Sequence, residues 1–125
     1  MERQTRQHQA IYEAFAKAGR PLLPKEVLTK ASEEAPRLSI ATVYRNIKNL
    51  LEDDLIRAVE LPGQNPRYEL TGLPHHHYFQ CRQCNMVFDV EKCPGTLSDL
   101  APPGFKVEGH EIVLYGRCSA CAFDT

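Results

Sequence analysis

The sequence predicts an α+β fold made of two small domains, residues 1–71 and 72–125. Apolar residues at helical spacing dominate the beginning of the chain, and two short alternating runs follow them. All five cysteines and four of the five histidines come after the Gly/Pro-containing stretch Thr71–Pro74. Such a change of composition at turn-forming residues indicates a boundary between two domains.

Three helices are predicted in the first domain. Gly19-Arg20-Pro21 ends the first helix, Pro24 suits the first turn of the second, and Ser39 is suited to cap the third. The apolar positions expected to face inward are Ile11, Ala14, Phe15 and Ala18 in the first helix, Val27, Leu28 and Ala31 in the second, and Val43, Ile47, Leu50 and Leu51 in the third.

A β-hairpin is predicted after these helices, because the alternating runs LIRAVEL and RYELT flank the turn PGQNP. Three helices and a hairpin predict a winged helix-turn-helix, whose third helix enters the major groove of DNA. Thr42 and Asn46 are short enough for close approach to base edges, while Arg45 could bond guanine or phosphate. The alternative is that Arg45 and Lys48 only solvate an exposed helix face.

Composition sets limits on the class of protein. The 125 residues carry a net charge of −1, so bulk charge does not indicate nucleic acid, and no apolar run approaches the roughly 20 residues that span a bilayer. The polar N-terminus predicts no secretory signal and therefore a cytoplasmic protein. In that reducing compartment, paired cysteines are expected to be thiolate ligands rather than disulfides.

Two CxxC motifs predict a structural zinc site. Cys81 and Cys84 form one pair, and Cys118 and Cys121 form the other. Four thiolates suit tetrahedral zinc and leave no open position for a substrate. The expected zinc would join the start of the second domain to its end.

Many further metal-binding side chains remain outside this set. They are His75, His76, His77, His110, Glu69, Asp89, Glu91, Glu108, Glu111 and Cys93. Side chains alternate along a strand, so His75 and His77 should face one way and His76 and Tyr78 the other. Two separate metal sites could share this segment, although a solvated loop would also explain a histidine triplet.

The chain resembles the ferric uptake regulator family of metal-dependent bacterial repressors. The resemblance rests on LSIATVYRNIKNLLEDDLI, on RYEL before the HHH run, on the CxxC directly after it, and on the spacing of His110 from the last CxxC. It covers nearly the whole chain in the same order. It implies a homodimer with an N-terminal winged helix, a C-terminal α/β dimerisation domain and a regulatory metal that sets operator binding.

The resemblance also implies roles for individual residues. Tyr44 and Arg45 match the pair that contacts DNA, and the four CxxC cysteines match the structural zinc ligands. The regulatory site between the domains is matched by Glu69, His76 and Asp89, but two of its histidines are replaced here by Pro21 and Tyr78. The site within the dimerisation domain is matched by His75, His77 and His110.

The fourth ligand of this last site departs from the family pattern. The usual acidic ligand falls in the region of residues 91–96, where both Glu91 and Cys93 are available. A thiolate would favour zinc, whereas carboxylate and imidazole ligands alone would suit iron or manganese. The regulatory metal is therefore expected to be Fe²⁺, Zn²⁺ or Mn²⁺.

The sequence thus predicts a dimeric, metal-dependent repressor that binds double-stranded operator DNA and controls genes of metal uptake or of metal and oxidative stress. It is expected to be neither an enzyme nor a membrane protein. Two alternatives remain: a zinc-stabilised adaptor that binds protein, for which Arg45 would be irrelevant, and a metallohydrolase, which would need an open metal site beside a general base.

Overall fold

The computed structural model describes residues 2–122, with side chains from residue 5 onward. The chain forms two compact units, Met1–Leu73 and Pro74–Thr125. Among the described residues, no helix has both the length and the apolar character needed to cross a bilayer.

Three helices build the first unit: α1 (Glu2–Ala18), α2 (Pro24–Ala31) and α3 (Ile40–Glu52). Gly19 has a φ of +63° directly after α1, which suits glycine and stops the helix. Pro24 occupies the first turn of α2, where its missing N–H costs no hydrogen bond. The backbone N–H of Leu23 donates to the Glu26 carboxylate at 2.8 Å and completes this helix start.

The core of the first unit is formed by one face of each helix together with residues that lie outside the helices, such as Leu22 and Ile56. Its most buried side chains are Ile11, Leu22, Val27, Val43, Leu50 and Ile56. Three predicted core positions differ from expectation: Ala18 and Leu28 are only half-buried, and Leu51 is 37% exposed. Leu51 lies about 80° around the helix from Val43, at the margin of the buried stripe, since an α-helix turns about 100° per residue.

The wing consists of β1 (Ile56–Val59) and β2 (Arg67–Leu70), paired antiparallel with Ile56 opposite Leu70. Leu22 adds a bridge, because its N–H and C=O each bond to Tyr68 at 2.9 Å. The segment between α1 and α2 therefore pairs with the wing, whereas the sequence indicated only a helix break there.

The second unit is a three-stranded sheet with the order β4-β3-β5. The central strand β3 (His77–Cys81) pairs antiparallel with β4 (Val87–Val90) and parallel with β5 (Val113–Gly116). A 3₁₀ turn (Ser98–Leu100) and the short helix α4 (Ser119–Ala122) complete the unit.

The sequence KVEGHEIVLYGRC, residues 106–118, predicts one strand leading back to the second CxxC pair. In the structure this strand is much shorter, since only Val113–Gly116 is extended and paired. The register explains the difference: Val113 lies opposite Tyr78, and β3 begins at His77. Residues 106–112 therefore have almost no β3 residue opposite them with which to pair, and they form a loop that carries His110.

We expect Ser39→Ala to lower the free energy of unfolding of the first unit by about 0.5–2 kcal/mol. Ser39 Oγ accepts from the Thr42 N–H at 3.2 Å and caps α3, a contact that alanine removes. Thermal denaturation followed by circular dichroism would measure the change. Ser39→Asp, which keeps an accepting oxygen, should retain most of the stability; an equal loss in both variants would show that the cap does not matter.

Candidate functional site

The four CxxC cysteines converge at one end of the second sheet. Parallel pairing places Cys81 opposite Gly116, two residues before Cys118, so both motifs reach the same edge. Cys84 Sγ lies 3.9 Å from Cys118 Sγ, and all four sulfurs lie within 4.8 Å of one another. Each CxxC forms a tight turn, with the Cys84 N–H donating to Cys81 Sγ at 3.4 Å in the first and the Cys121 N–H bonding the Cys118 carbonyl at 3.0 Å in the second.

The electrostatics of these thiols fit a bound dication. The backbone N–H of Cys84 stabilises one thiolate and lowers the pKa of Cys81 to about 6. Hydrogen bonding to Cys118, followed by burial and the other two thiols, raises the pKa of Cys121 to about 12. Cys81 therefore releases its proton more readily than Cys121, whose proton is retained by hydrogen bonds to the neighbouring thiols. A divalent ion at the centre would take the place of the thiol protons, and four sulfurs with no carboxylate fit zinc.

A second cluster joins three histidines and the remaining cysteine. His77 Nε2 lies 3.1 Å from His75 Nε2, 3.2 Å from His110 Nε2 and 3.4 Å from Cys93 Sγ. Cys93 Sγ lies 3.1 Å from His110 Nε2. Within the described part of the chain, the ligand atoms that meet here belong to these four residues, and the exposed Glu91 is not among them.

His77 is the most buried member of this cluster. Burial, followed by the neighbouring imidazoles of His75, His110 and His76, lowers the pKa of His77, so the ring stays neutral and can act as a metal ligand. The Ile112 N–H donates to His77 Nδ1 at 3.2 Å. Because Nδ1 accepts this hydrogen bond, it carries no proton, and the proton of the neutral ring is assigned to Nε2, the atom that faces the cluster.

His76 lies on the opposite side of the segment, in accordance with the predicted alternation. Its Nε2 is 3.7 Å from Asp89 Oδ1, and its ring lies 5.0 Å from that of Tyr78. Glu69 belongs to the first unit, where its carboxylate accepts from Arg57 Nη2 at 2.7 Å across the hairpin. The assignment of Glu69, His76 and Asp89 to one metal site stays a prediction.

The outer face of α3 presents Tyr44, Arg45 and Lys48 to solvent, and Tyr44 is 57% exposed. Arg45 Nη2 donates to Thr42 Oγ1 at 3.1 Å. Asn46 is less available than the sequence suggested, because its amide donates to the Thr42 carbonyl at 2.9 Å and contacts His8 Nδ1 at 2.8 Å.

His8 was not identified from the sequence. It lies on α1 and reaches Asn46 across a cleft that Thr42 and Arg45 also line. The only available signal was that His8 is the sole histidine of the first half. Its partner depends on how α1 packs against α3, which residue spacing does not specify.

Comparison with known proteins agrees with this architecture. The Ferric uptake regulator family matches residues 2–115, a range that includes the histidine cluster but ends before Cys118. A Ferric uptake regulation protein of Campylobacter upsaliensis is 31% identical over an alignment of 101 residues, which covers 77% of this chain and 64% of that protein. The matched region thus spans slightly less than two thirds of that relative.

Two further proteins are similar over a larger share of both chains. The Peroxide operon regulator of Bacillus subtilis strain 168 is 27% identical over 94% of this chain and 83% of its own length. The solved structure of a zinc-bound manganese uptake regulator superposes with a TM-score of 0.80 at 22% identity, covering 90% of this chain and 87% of that one, and shows a shared fold. The family match spans nearly the whole sequence. This chain belongs to the ferric uptake regulator family.

Proposed function

We propose that this protein is a dimeric, metal-dependent transcriptional repressor that acts in the cytoplasm on genes of metal uptake or of metal and oxidative stress. The observation that carries the proposal is the combination, in one chain, of a winged helix with an exposed cationic third helix and a second unit with two clusters of metal ligands. Membership of the family supports the same role.

The first unit is proposed to bind double-stranded DNA through α3. A winged helix-turn-helix places this helix in the major groove, where arginine pairs with guanine or phosphate. Tyr44, Arg45 and Lys48 are exposed and available for that contact. Thr42 holds the Arg45 guanidinium through its hydroxyl, and Asn46 contributes to base reading only if it releases its contact with His8.

The chain is proposed to bind two kinds of metal. Cys81, Cys84, Cys118 and Cys121 would hold a structural zinc, since this sulfur set leaves no exchange position. A regulatory divalent ion, Fe²⁺, Zn²⁺ or Mn²⁺, would occupy exchangeable sites built from two sets of ligands. These sets are His75, His77 and His110 with Cys93 or Glu91, and Glu69 with His76 and Asp89.

A homodimer is supported by apolar side chains that the second unit leaves exposed. Leu100 is 79% and Phe105 71% exposed, and Leu114 and Tyr115 on β5 are also accessible. Exposed apolar groups of this kind are typical of surfaces that pack against a partner. A two-fold dimer would present two copies of α3 to the two halves of a palindromic operator.

The two alternatives are less well supported. A protein-binding adaptor would give the exposed cations of α3 no role. A metallohydrolase needs a metal with an open position beside a general base, whereas the two clusters of the second unit each offer four ligand atoms to one point. We therefore propose a regulator rather than an enzyme.

Selection of bound duplexes from a random DNA pool would test the function. The zinc-containing chain, stripped of exchangeable metal, would be incubated with the pool at buffered free Fe²⁺, Mn²⁺ or Zn²⁺. We expect at least one metal to enrich a palindromic sequence and to increase its affinity at least tenfold. The proposal would be contradicted if none of the three metals enriched any sequence.

Arg45→Ala should weaken binding to the selected duplex by about 1–3 kcal/mol if Arg45 makes a bidentate base contact. The preference at one base pair should relax, while the fold persists because the side chain is exposed. Fluorescence anisotropy with the selected duplex and single-base variants would measure both effects. Lys17→Ala is the matched control, since it removes one exposed charge from α1 instead. An equal loss on random DNA would identify Arg45 as a phosphate contact.

A further inference from the structure

The cluster around His77 has the size of a four-coordinate metal site. Four of the six separations between its ligand atoms are 3.1 to 3.4 Å: those from His77 to His75, His110 and Cys93, and that from Cys93 to His110. Metal–nitrogen bonds of about 2.0–2.1 Å and metal–sulfur bonds of about 2.3 Å give tetrahedron edges of roughly 3.3–3.6 Å. The four atoms therefore already surround one point at nearly the required spacing.

We propose that Cys93, and not Glu91, is the fourth ligand, so that His75, His77, His110 and Cys93 form a closed tetrahedral site for Zn²⁺ or Co²⁺ in preference to Fe²⁺ or Mn²⁺. This inference rests on the proposed function, because it names the metal class of one of the two exchangeable sites. It concerns what the site binds, and it is independent of which site controls DNA.

The donor set determines this preference. Three imidazoles and one thiolate contain no oxygen, whereas Mn²⁺ favours carboxylate, carbonyl and water ligands in an octahedral arrangement. Zinc and cobalt accept nitrogen and sulfur ligands in a tetrahedron, and the d electrons of zinc impose no competing geometry. Glu91 would have supplied the oxygen, but it is exposed and its carboxylate is not part of the cluster.

The loop position of Cys93 makes the site exchangeable. His77 is the first residue of β3, but Cys93 lies after β4, and His110 lies in the loop before β5. Cys93 is exposed and its thiol contacts the Gly95 carbonyl at 3.7 Å, a weak interaction that a metal would replace. In contrast, the four-cysteine site is built on strand ends and tight turns. A chelator should empty the loop-based site first.

Metal binding would require at least two proton movements. The Cys93 thiol must release its proton to solvent and bind as thiolate. The His77 proton must move from Nε2 to Nδ1, which ends the hydrogen bond that the Ile112 N–H donates to Nδ1. His77 is thus the ligand whose surroundings must rearrange, while His75, Cys93 and His110 can bind by small movements of their loops.

The test uses Co²⁺ as a spectroscopic probe of the full chain, with the structural zinc retained and exchangeable metal removed by mild chelation. One equivalent of Co²⁺ should produce the near-ultraviolet thiolate-to-cobalt band and the intense visible bands of a four-coordinate ion. Zinc should then displace it. Alkylation followed by peptide mass spectrometry should show Cys93 labelled in the chelated protein and protected after zinc is added.

Three variants assign the ligands. Cys93→Ser should lose the thiolate band and bind zinc at least tenfold more weakly. Mutation of residues that only hydrogen-bond to metal ligands already lowers metal affinity by about 10–100-fold. Cys93→Asp should raise the affinity for Mn²⁺ relative to Zn²⁺ at least tenfold. Glu91→Gln, the matched control two residues away, should leave the spectrum and the affinities unchanged. One retained zinc per chain would show that the four-cysteine site is intact in each variant.

The inference is overturned if wild-type protein binds Co²⁺ at the His77 cluster without a thiolate band, or if Glu91→Gln rather than Cys93→Ser changes the spectrum. Absence of any exchangeable Co²⁺ also overturns it. These results do not depend on DNA. A thiolate band without metal-stimulated DNA binding would support the inference and contradict the proposed function. Metal-stimulated DNA binding without a thiolate band would support the proposed function and contradict the inference.

Discussion

Cys118→Ser is expected to release the structural zinc and unfold the second unit. Among the described residues of that unit, the buried apolar side chains are only Cys81 and Val87, which is a very small core. Zinc binding to such sites supplies about 10–16 kcal/mol of apparent free energy at neutral pH, and this energy is part of the folding free energy. Removing one thiolate leaves three ligands, so the zinc holds the two CxxC turns together less firmly.

Zinc content, limited proteolysis and sedimentation would measure this effect. We expect less than one zinc per chain, rapid cleavage after residue 73 and loss of the dimer. The first unit should keep its helical circular dichroism, because its core lies within its own helices and wing. Cys93→Ser is the control, since it removes the one cysteine outside the four-sulfur cluster. A Cys118→Ser protein that is folded and dimeric without zinc would show that the site has no structural role.

The sequence was sufficient for features that local chemistry determines. Pro24 begins α2 and Ser39 caps α3 in the structure, because a proline and a hydroxyl at a helix start act on their immediate neighbours. The hairpin and the paired CxxC motifs were predictable for the same reason: each depends on residues a few positions apart. The family resemblance, carried by motifs of that kind, is also confirmed.

Features that depend on register or on loop paths were not predictable. The length of β5 follows from its pairing with β3, which local alternation does not contain. The sequence left Glu91 and Cys93 as equal candidates, because they are two residues apart and the loop alone decides which approaches His110. His8 and Asn46 are 38 positions apart and meet only through helix packing.

We expect the control of DNA binding by metal to depend on the ligand set that is predicted to draw its members from both units. A metal favours one conformation only through its differential affinity for that conformation. The predicted set takes Glu69 from the first unit and His76 and Asp89 from the second, so its affinity must respond to their relative placement. The cluster around His77 draws every ligand from the second unit. It has more ligands, but none of them belongs to the unit that carries α3.

The set with fewer ligands should also bind metal less tightly. In the metal-free chain, Arg57 already neutralises Glu69 at 2.7 Å, so a metal must compete with this ion pair. His76 and Asp89 are 3.7 Å apart, which leaves room for an ion between them. The His77 cluster should therefore fill first as the metal concentration is raised. The gain in DNA affinity should appear at higher metal concentrations, where the second set binds.

We expect Glu69→Ala or His76→Ala to abolish metal-stimulated DNA binding, while the structural zinc stays in place. His77→Ala should instead lower the total exchangeable metal by about one equivalent per chain and leave much of the DNA response, since it removes a ligand of the other cluster. Anisotropy titrations at buffered free metal, paired with metal analysis of the same samples, would separate the two effects. Glu60→Ala is the matched control for lost charge, because it removes an exposed carboxylate directly after β1 of the wing. If Glu69→Ala and His76→Ala keep the full response while His77→Ala or His110→Ala loses it, the sensor is the cluster within the second unit, and metal must act on DNA affinity by ordering the loops that carry Cys93 and His110.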